Sequence, residues 1–345
     1  MNKILVTGGM GYIGSHTVVA LMDYGFEVVI VDNLSNSNLK VLDGIERISG
    51  KKPAFYEIDL LEKQKLESIF RQEKDIHGIV HFAASKAVGE SVENPLLYYG
   101  NNLISMINLL SLMKKYAVNN LVFSSSCTVY GQPDALPVTE ETPFKRAESP
   151  YGNTKQICEE ILKDVCQAEN QIFGIALRYF NPVGAHQTGF IGELPLGIPN
   201  NLVPFITQTA AGIRSELKIY GKDYNTADGS AVRDYIHVVD LAKAHVLALT
   251  RMLEKKSTLN FEFYNVGTGK GLSVLEVVET FERVNNIPVK HRIVDRRPGD
   301  VECIYADTTK ANKELGWKAE LGVDEMMRSA WRWQQNLVAH PDWWT

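Results

Sequence analysis

A glycine-rich loop directly after the first apolar run is the feature that most restricts the fold of this chain. Ile4–Thr7 predicts a buried strand, and Gly8, Gly11 and Gly14 then recur at every third position before a helical pattern begins. Glycine at these positions permits a tight turn and a close approach of the backbone to a ligand, and the start of the helix offers N–H groups to phosphate. The arrangement predicts the first strand-helix unit of a parallel sheet that binds a dinucleotide.

Apolar, β-branched runs alternate with helical patterns along the first half of the chain. The predicted strands are Ile4–Thr7, Val28–Val31, Ala54–Glu57, Gly78–His81, Leu121–Phe123 and Ile172–Leu177. The predicted helices are Gly14–Tyr24, Glu62–Gln72, Pro95–Tyr116 and Tyr151–Gln171. This alternation predicts an α/β fold with a Rossmann-type, doubly wound parallel sheet, whose ligands bind at the carboxyl ends of the strands.

A change in composition near residue 180 predicts a domain boundary. Residues 181–202 are rich in Gly, Pro and Asn, which predicts long loops, and the rest of the chain mixes helical with β-type segments. We therefore expect a dinucleotide-binding domain at residues 1–180 and a smaller mixed α/β substrate domain at residues 181–345. The segment at about 238–266, a predicted helix followed by a strand, can return to the first sheet.

Composition and charge argue against several classes of protein. The 345 residues carry a net charge of −5, which provides no general attraction for nucleic acid. No apolar run is long enough to span a bilayer, and the first residues resemble a strand rather than a signal peptide. The cysteines lack the paired spacing of a metal site, which favours reduced thiols in a cytoplasmic protein; they are Cys127, Cys158, Cys166 and Cys303. We expect no metal, no nucleic acid and no membrane partner.

Asp32, at the end of the second predicted strand, indicates which dinucleotide binds. A carboxylate there can accept hydrogen bonds from the adenosine ribose hydroxyls, and it would repel a 2′-phosphate. The pairing with the glycine loop therefore favours NAD over NADP. The alternative is a glycine turn with an incidental aspartate.

Tyr151 and Lys155 form the first candidate catalytic pair. Pro150 suits the first turn of a helix, and positions four apart on that helix share a face. A lysine ammonium favours the ionised form of a nearby phenol, and the positive nicotinamide ring acts in the same direction, so the tyrosine can serve as a base. The alternative is an ordinary pair on a surface helix.

Three consecutive hydroxyls end the strand that precedes this helix. Ser124, Ser125 and Ser126 follow Phe123, so the sheet is expected to present them at the cofactor cleft. One of them can bind the reacting alcohol oxygen and share its proton with Tyr151. The alternative is a serine-rich turn. With the tyrosine and the lysine, the serine describes removal of a proton from a secondary alcohol while a hydride passes to NAD.

Seven segments together resemble the UDP-glucose 4-epimerase family of the extended short-chain dehydrogenase/reductase superfamily. The spacing G-x-x-G-x-x-G is similar to that superfamily, and the resemblance runs essentially from end to end. The segments are Thr7–His16, Lys86–Ser91, Phe123–Gly131, Tyr151–Lys155, Arg178–His186, Gly197–Leu202 and Val232–Val238.

The resemblance implies roles for individual residues. Tyr151 would be the base and acid at the sugar O4, Lys155 would tune it and bind the nicotinamide ribose, and Ser126 would assist. The implied NAD contacts are Gly8, Gly11, Tyr12, Ile13, Gly14, Asp32, Asn33, Asp59, Leu60, Phe82, Ala83, Lys86, Asn101, Ser124, Tyr151, Lys155 and Phe180. The implied UDP-hexose contacts are Ser126, Asn181, Asn201, Leu202, Tyr220, Arg233, Arg297, Asp300 and Ile304.

The implied reaction is the interconversion of UDP-glucose and UDP-galactose, a step of galactose metabolism. The sugar is oxidised at C4, the 4-keto sugar rotates, and the hydride returns to its other face. Arg233 and Arg297 suit a diphosphate as charge partners, although a surface salt bridge is the alternative. Ile304 stands where the family has a residue that sets the size of the sugar pocket. Its intermediate size predicts some activity on UDP-GlcNAc and UDP-GalNAc.

Two other functions compete with this interpretation. A nucleotide-sugar 4,6-dehydratase also makes a 4-keto sugar, but it uses an acidic pair just after the active-site threonine, and here Thr128 is followed by Val129 and Tyr130. A non-catalytic dinucleotide-binding regulator would usually lack Tyr151 or Lys155. The resemblance also implies a homodimer formed by the helices at 95–116 and 151–171, whose apolar positions could equally be explained by packing within one chain.

Overall fold

The computed structural model describes residues 1–296 and 301–343. The strands are β1 (Lys3–Thr7), β2 (Glu27–Asp32), β3 (Ala54–Glu57), β4 (Ile76–His81), β5 (Asn120–Ser124), β6 (Phe173–Tyr179), β7 (Asn181–Val183), β8 (Leu217–Tyr220), β9 (Val232–His237), β10 (Phe261–Val266), β11 (Gly271–Ser273), β12 (His291–Val294) and β13 (Cys303–Ile304). The helices are α1 (Tyr12–Asp23), α2 (Val41–Ser49), α3 (Lys63–Gln72), α4 (Val88–Glu93), α5 (Pro95–Tyr116), α6 (Pro150–Ala168), α7 (Leu202–Ala210), α8 (Val238–Leu253), α9 (Val274–Asn285) and α10 (Val323–Ala339).

The largest sheet has seven parallel strands in the order β10-β6-β5-β4-β1-β2-β3. From β1 the chain adds β2 and β3 on one side and then crosses to add β4, β5 and β6 on the other. The direction of winding therefore reverses between β1 and β4, where a crevice opens at the carboxyl ends of the strands. The predicted doubly wound Rossmann-type fold is confirmed.

Alternate side chains of the central strands enter two separate cores. In β1, Ile4 and Val6 pack in the core that includes Leu241 of α8, while Leu5 packs in the core that includes Leu162 of α6. Burial of an aliphatic side chain of this size contributes roughly 1.5–3 kcal/mol to stability. The apolar runs of the sequence thus form strands that are covered on both faces.

Strand β10 lies at the edge of the large sheet, although it follows residue 180 in the chain. It pairs in parallel with β6, from Phe261 opposite Gly174 to Val266 opposite Tyr179. The segment at about 238–266 therefore contributes a strand to the first sheet. The division of the chain at residue 180 stays a prediction.

Smaller sheets lie outside this unit. Strands β11, β9 and β13 form one sheet, to which β7 is joined through β9, and β12 pairs with β8 in another. They carry Arg233, Ile304 and Tyr220, which are predicted substrate contacts. Within residues 1–296 and 301–343, no helix is both long and apolar enough to cross a membrane.

Two of the differences from the predicted elements have a clear physical reason. The helix expected to reach Gln171 ends at Ala168, because Glu169 has an extended backbone (φ −117°, ψ 90°) and its carbonyl accepts the N–H of Ile172, which starts the turn into β6. The sequence patterns did not predict α2, which contains Gly44. A Cβ atom on Gly44 would lie 2.4 Å from the carbonyl oxygen of Phe190, so tertiary packing explains this glycine.

Candidate active site

The loop between β1 and α1 packs so closely against the backbone around it that Gly8 and Gly14 leave no room for a side chain. Gly8 has φ +69°, and a Cβ atom on it would lie 2.7 Å from the backbone nitrogen of Ala83, which follows β4. A Cβ atom on Gly14 would lie 2.1 Å from the Gly8 carbonyl oxygen. Gly11 begins α1, and no side chain in the described part of the protein caps that end. The N–H groups of Tyr12 and Ile13, in the first helical turn, are thus suited to bind an anion.

Asp32 connects this loop to the end of β2. Its Oδ2 accepts the N–H of Met10 at 3.0 Å, and its Oδ1 accepts the N–H of Leu34 at 2.9 Å and the hydroxyl of Ser37 at 3.0 Å. Burial raises the pKa of Asp32, and these hydrogen bonds act in the opposite direction. The carboxylate is therefore fixed beside the glycine loop, as a contact with ribose hydroxyls requires.

Other predicted cofactor contacts surround the same crevice. Asn33 donates to Oδ2 of Asp59 at 2.9 Å, beyond the ends of β2 and β3. The ring of Phe82, after β4, lies 4.7 Å from the ring of His245, and Asn101 of α5 donates to the Ser85 hydroxyl at 3.0 Å. The structure thus gathers residues that are far apart in sequence along the edge where β1 and β4 diverge. This arrangement fits a dinucleotide.

Tyr151 and Lys155 lie in the first turns of α6. The hydroxyl of Ser149 caps this helix by accepting the N–H of Gly152 at 3.2 Å. The ammonium of Lys155 donates to the carbonyl oxygen of Ser124 at 2.6 Å, and it lies 5.9 Å from the centre of the Tyr151 ring. The cap therefore fixes where the helix begins, and the end of β5 fixes the lysine.

Burial dominates the electrostatics of this pair. It raises the pKa of Tyr151 well above its usual value, while a hydrogen bond with Ser126 acts in the opposite direction. Burial also lowers the pKa of Lys155 to about 8. We expected the lysine to favour the phenolate, but burial is the largest effect on the pKa of Tyr151 within the protein, and it raises that pKa. Ionisation of Tyr151 needs a further positive charge close by, which the nicotinamide ring of NAD would supply.

The serine-rich end of β5 has a different partner for each hydroxyl. Ser124 is hydrogen-bonded to the hydroxyl of Tyr179. Ser126 caps the short 3-10 helix Cys127–Tyr130 by accepting the N–H of Thr128 at 3.2 Å. Thr128 itself was not predicted as a site residue, yet its hydroxyl is buried and has no hydrogen-bond partner in the described protein. The Thr128 hydroxyl therefore has unused hydrogen-bonding capacity next to Ser126.

Glu193 is a second residue that the sequence patterns missed. Its Oε1 accepts a hydrogen bond from Asn201 at 2.5 Å and lies 3.8 Å from Nζ of Lys86. Burial raises the pKa of Glu193, and its charge contributes to the raised pKa of Tyr12. This carboxylate joins predicted cofactor contacts to a predicted UDP contact. It lies in a loop-rich segment, where an acidic residue gives no periodic signal.

The remaining predicted substrate contacts lie on the smaller sheets and the loops beside them. Arg233 of β9 is opposite Ile304 of β13, whose side chain is 4% exposed in a core with Phe180. Asn181 begins β7, Leu202 begins α7, and Tyr220 ends β8. Arg297 and Asp300 lie outside the described residues. Among the described residues, no group of three or more His, Cys, Asp or Glu side chains could hold a metal ion.

Comparison with known proteins adds independent findings. A family model described as GDP-mannose 4,6 dehydratase matches residues 5–330. A UDP-glucose 4-epimerase from Bacillus subtilis (strain 168) is 51% identical over 335 residues, which cover 97% of this chain and 97% of that protein.

Solved structures are similar over the same extent. UDP-glucose 4-epimerase from Bifidobacterium longum, in complex with NAD+ and UDP, has a TM-score of 0.93 at 47% identity and covers 97% of this chain and 98% of its own. UDP-glucose-4-epimerase from Stenotrophomonas maltophila, with bound NAD and formylated UDP-arabinopyranose, has a TM-score of 0.94 at 45% identity. The match covers 98% of this chain and 99% of that chain. Sequence and fold therefore agree over nearly the whole length.

Proposed function

We propose that this chain, which belongs to the UDP-glucose 4-epimerase family of the extended short-chain dehydrogenases/reductases, interconverts UDP-glucose and UDP-galactose with NAD as its cofactor. The observation that carries the proposal is the position of Tyr151, Lys155 and Ser126 around the end of β5, at the same edge of the sheet as the glycine loop. Lys155 donates a hydrogen bond to the Ser124 carbonyl, and the Ser126 hydroxyl acts to lower the pKa of Tyr151. A proton acceptor, a cation and a hydroxyl donor thus converge at the end of β5.

In this proposal residues along the crevice between β1 and β4 would hold the cofactor. Backbone N–H groups at the start of α1 would bind the pyrophosphate, and Asp32 would accept hydrogen bonds from the adenosine ribose. NAD, when bound, supplies the acceptor and donor of the hydride at C4 of the sugar. Lys86 and Asn101 complete the cofactor site from the loop after β4 and from α5.

The residues of the chain handle the proton and the substrate. Tyr151 takes the proton from O4 of the hexose and later returns it, and Ser126 donates a hydrogen bond to the same oxygen. Lys155 holds the nicotinamide ribose and stabilises the phenolate. Asn201 and Arg233 hold the UDP group, so that the 4-keto sugar can rotate without release and inversion at C4 can follow.

The other two functions have less support. The described structure has no carboxylate directly after Thr128, since Val129 and Tyr130 follow it and both are buried. A dehydratase needs an acid and a base there. A non-catalytic regulator would not need Tyr151 and Lys155 arranged for proton transfer.

Purified protein should interconvert UDP-glucose and UDP-galactose without added reductant or oxidant. The products can be separated by chromatography. A stable 4-keto-6-deoxy product would contradict the proposal, and so would protein that retains NAD but converts neither sugar.

We also propose that the sugar pocket admits UDP-GlcNAc and UDP-GalNAc. Ile304 is smaller than a tyrosine and packs with Phe180 and Val129, so a larger ring at this position would reduce the space beside the proposed substrate contacts. Ile304→Tyr should lower the rate on acetylated sugars relative to plain ones. An unchanged ratio of the two rates would contradict this role.

The last parts of the proposal concern assembly and location. An apolar stripe on α5 consists of Leu97, Ile104 and Ile107, which are 52%, 46% and 48% exposed. The three residues lie on one face of the helix, which supports a homodimer formed through α5 and α6.

The free thiols support a reducing compartment, and we propose the cytoplasm.

A further inference from the structure

A buried ion pair lies directly behind the catalytic segment. Glu159 is one helical turn beyond Lys155 on α6, and its side chain is 3% exposed. Arg178 of β6 is 4% exposed and binds this carboxylate with two nitrogens, Nε at 3.0 Å from Oε1 and a terminal nitrogen at 2.7 Å from Oε2. The two-point geometry fixes the position of the carboxylate.

The guanidinium is itself held firmly by aromatic side chains. Its central carbon lies 4.1 Å from the ring centre of Phe263, 4.6 Å from that of Phe144 and 5.3 Å from that of Tyr130. Arg178 also donates to the Tyr130 hydroxyl at 3.1 Å. These rings leave the guanidinium little freedom, so the carboxylate that it binds is a rigid support.

This carboxylate is connected to the catalytic segment. The hydroxyl of Ser125 donates to Glu159, while the backbone N–H of Ser125 donates to Leu177 of β6 at 3.0 Å. Ser125 stands between Ser124, whose carbonyl accepts a hydrogen bond from Lys155, and Ser126, whose hydroxyl acts to lower the pKa of Tyr151. A shift of Glu159 would therefore move the groups on both sides of Ser125.

The charge of Glu159 also acts on Lys155. Burial lowers the pKa of Lys155 to about 8, and Cys158 and Glu159 act in the opposite direction. Burial raises the pKa of the Cys158 thiol to about 11, so this thiol is neutral near neutral pH. Tyr151 on the same helix and His81 on β4 also face the ammonium, and burial lowers the pKa of His81 to about 3, so this histidine is neutral.

We propose that Glu159, held by Arg178, is a positioning residue for the proton transfer: it fixes the segment Ser124–Ser126 through Ser125 and keeps the nearby ammonium of Lys155 charged. The inference rests on the epimerase function proposed above. A buried ion pair by itself is weak evidence for a stabilising role, because the loss of hydration offsets much of the attraction. The contacts of Glu159 with catalytic groups provide a different reason for its presence.

Three variants separate the parts of this role. Glu159→Gln keeps the shape and removes the charge. Ser125→Ala removes the hydrogen bond and leaves every charge in place. The double variant Glu159→Gln/Arg178→Gln removes both members of the pair and so avoids an unpaired buried cation.

The matched control is a second Arg–Glu pair, Arg251 with Glu262, which is largely buried. Their contact is 2.7 Å, and the side chains are 11% and 3% exposed. Glu262 also accepts hydrogen bonds from Thr258 and Tyr264. Neither of these residues belongs to the proposed catalytic group. Glu262→Gln therefore perturbs a similar pair at a distance from the chemistry.

The measurements are kcat and KM against pH for the NAD-loaded enzyme, together with thermal unfolding. For Glu159→Gln we expect kcat to fall about ten- to hundredfold with KM nearly unchanged, as for other small displacements of catalytic groups. Loss of the Glu159 carboxylate lowers the pH at which Lys155 loses its proton. The decrease of kcat at alkaline pH (the alkaline limb of the profile) should therefore occur at lower pH. Ser125→Ala should lower kcat without moving that limb. Glu262→Gln should lower the unfolding temperature and leave the limb in place.

A readout independent of turnover is the Cε chemical shift of Lys155 against pH. It can be followed in protein labelled with 13C-lysine and assigned with Lys155→Met. We expect the titration of Lys155 to move to lower pH in Glu159→Gln and in the double variant, and to stay in place in Glu262→Gln.

The double variant shows whether Glu159 positions the catalytic groups or only stabilises the fold. It should unfold closer to the wild-type temperature than Glu159→Gln, yet keep the low kcat and the shifted alkaline limb. Two results would overturn the inference. One is a double variant in which kcat and the pH of the alkaline limb both return to their wild-type values. The other is an alkaline limb of Glu159→Gln at the same pH as in the wild type. If the wild-type protein interconverts the sugars and these results fail, only the inference is wrong; a wild-type protein without epimerase activity would contradict the proposed function itself.

Discussion

Lys155 donates a hydrogen bond of 2.6 Å to the carbonyl oxygen of Ser124. The lysine belongs to α6 and the serine ends β5, so one bond ties the helix that carries Tyr151 to the strand that leads into Ser126. It also accounts for the burial of Lys155, which is 4% exposed, because a buried cation needs a hydrogen-bond acceptor. The relative position of the catalytic groups therefore depends on the contact between these two elements.

Tyr151→Phe should remove catalysis and leave NAD bound. The change deletes the proton-accepting hydroxyl, and loss of a positioned general acid or base lowers rates by about 10²–10⁴. Rates of UDP-glucose and UDP-galactose interconversion and the NAD content of purified protein are the measurements. Tyr264→Phe is the control, because Tyr264 is buried but bonds to Glu262 and Glu314. Loss of both NAD and activity in Tyr151→Phe would point to a role in folding instead.

Glu193→Ala should weaken the binding of UDP. The carboxylate holds the Asn201 amide at 2.5 Å, and loss of a hydrogen bond to a charged group costs about 1.5–3 kcal/mol. Calorimetric titration with UDP should show a dissociation constant raised about tenfold or more. Glu216→Ala is the control, since Glu216 pairs with Arg292 away from these residues. Equal affinities in the two variants would exclude this role for Glu193.

The protein should lose stability as the pH falls below about 6.5. Burial lowers the pKa of His16 and His81 to about 3 and of His237 and His245 to about 4. Between these values and the ordinary pKa near 6.5, the unfolded chain binds more protons than the folded one, so acid favours unfolding. Each such histidine contributes about 1.4 kcal/mol per pH unit in this window.

Urea unfolding between pH 5 and 7 measures this dependence. His245→Gln should reduce the slope of the unfolding free energy against pH, because one of the buried histidines is gone. A slope that is the same in His245→Gln and in the wild-type protein would contradict the assignment to His245.

The double change Ile104→Asp/Ile107→Asp should convert a dimer into monomers. Both side chains are about half exposed on α5, and a charge in a buried interface is strongly unfavourable. Sedimentation velocity would detect the change. Leu259→Asp is a control, since Leu259 is 66% exposed in the loop before β10. A wild-type protein that sediments as a monomer would contradict the proposed dimer.

The sequence by itself determined the class of sheet and most of the chemical groups. Gly8, Gly11 and Gly14 after a buried strand indicate a dinucleotide loop, and side chains do not fit at Gly8 and Gly14. The four-residue spacing of Tyr151 and Lys155 follows from helix periodicity. These signals are local, so a single segment carries them. The same locality explains why α2 was missed, since Gly44 is determined by its contact with Phe190 in a distant segment.

Only the tertiary structure decided which distant groups meet. Glu159 and Arg178 belong to separate elements, and nothing in either segment shows that they pair behind Ser125. Glu193 likewise has no periodic signal, and it is recognised by its contacts with Asn201 and Lys86. The protonation of Tyr151 also depends on the fold, because burial is the largest cause of its raised pKa. Sequence motifs thus specify the reacting groups, whereas long-range packing sets their positions and charges.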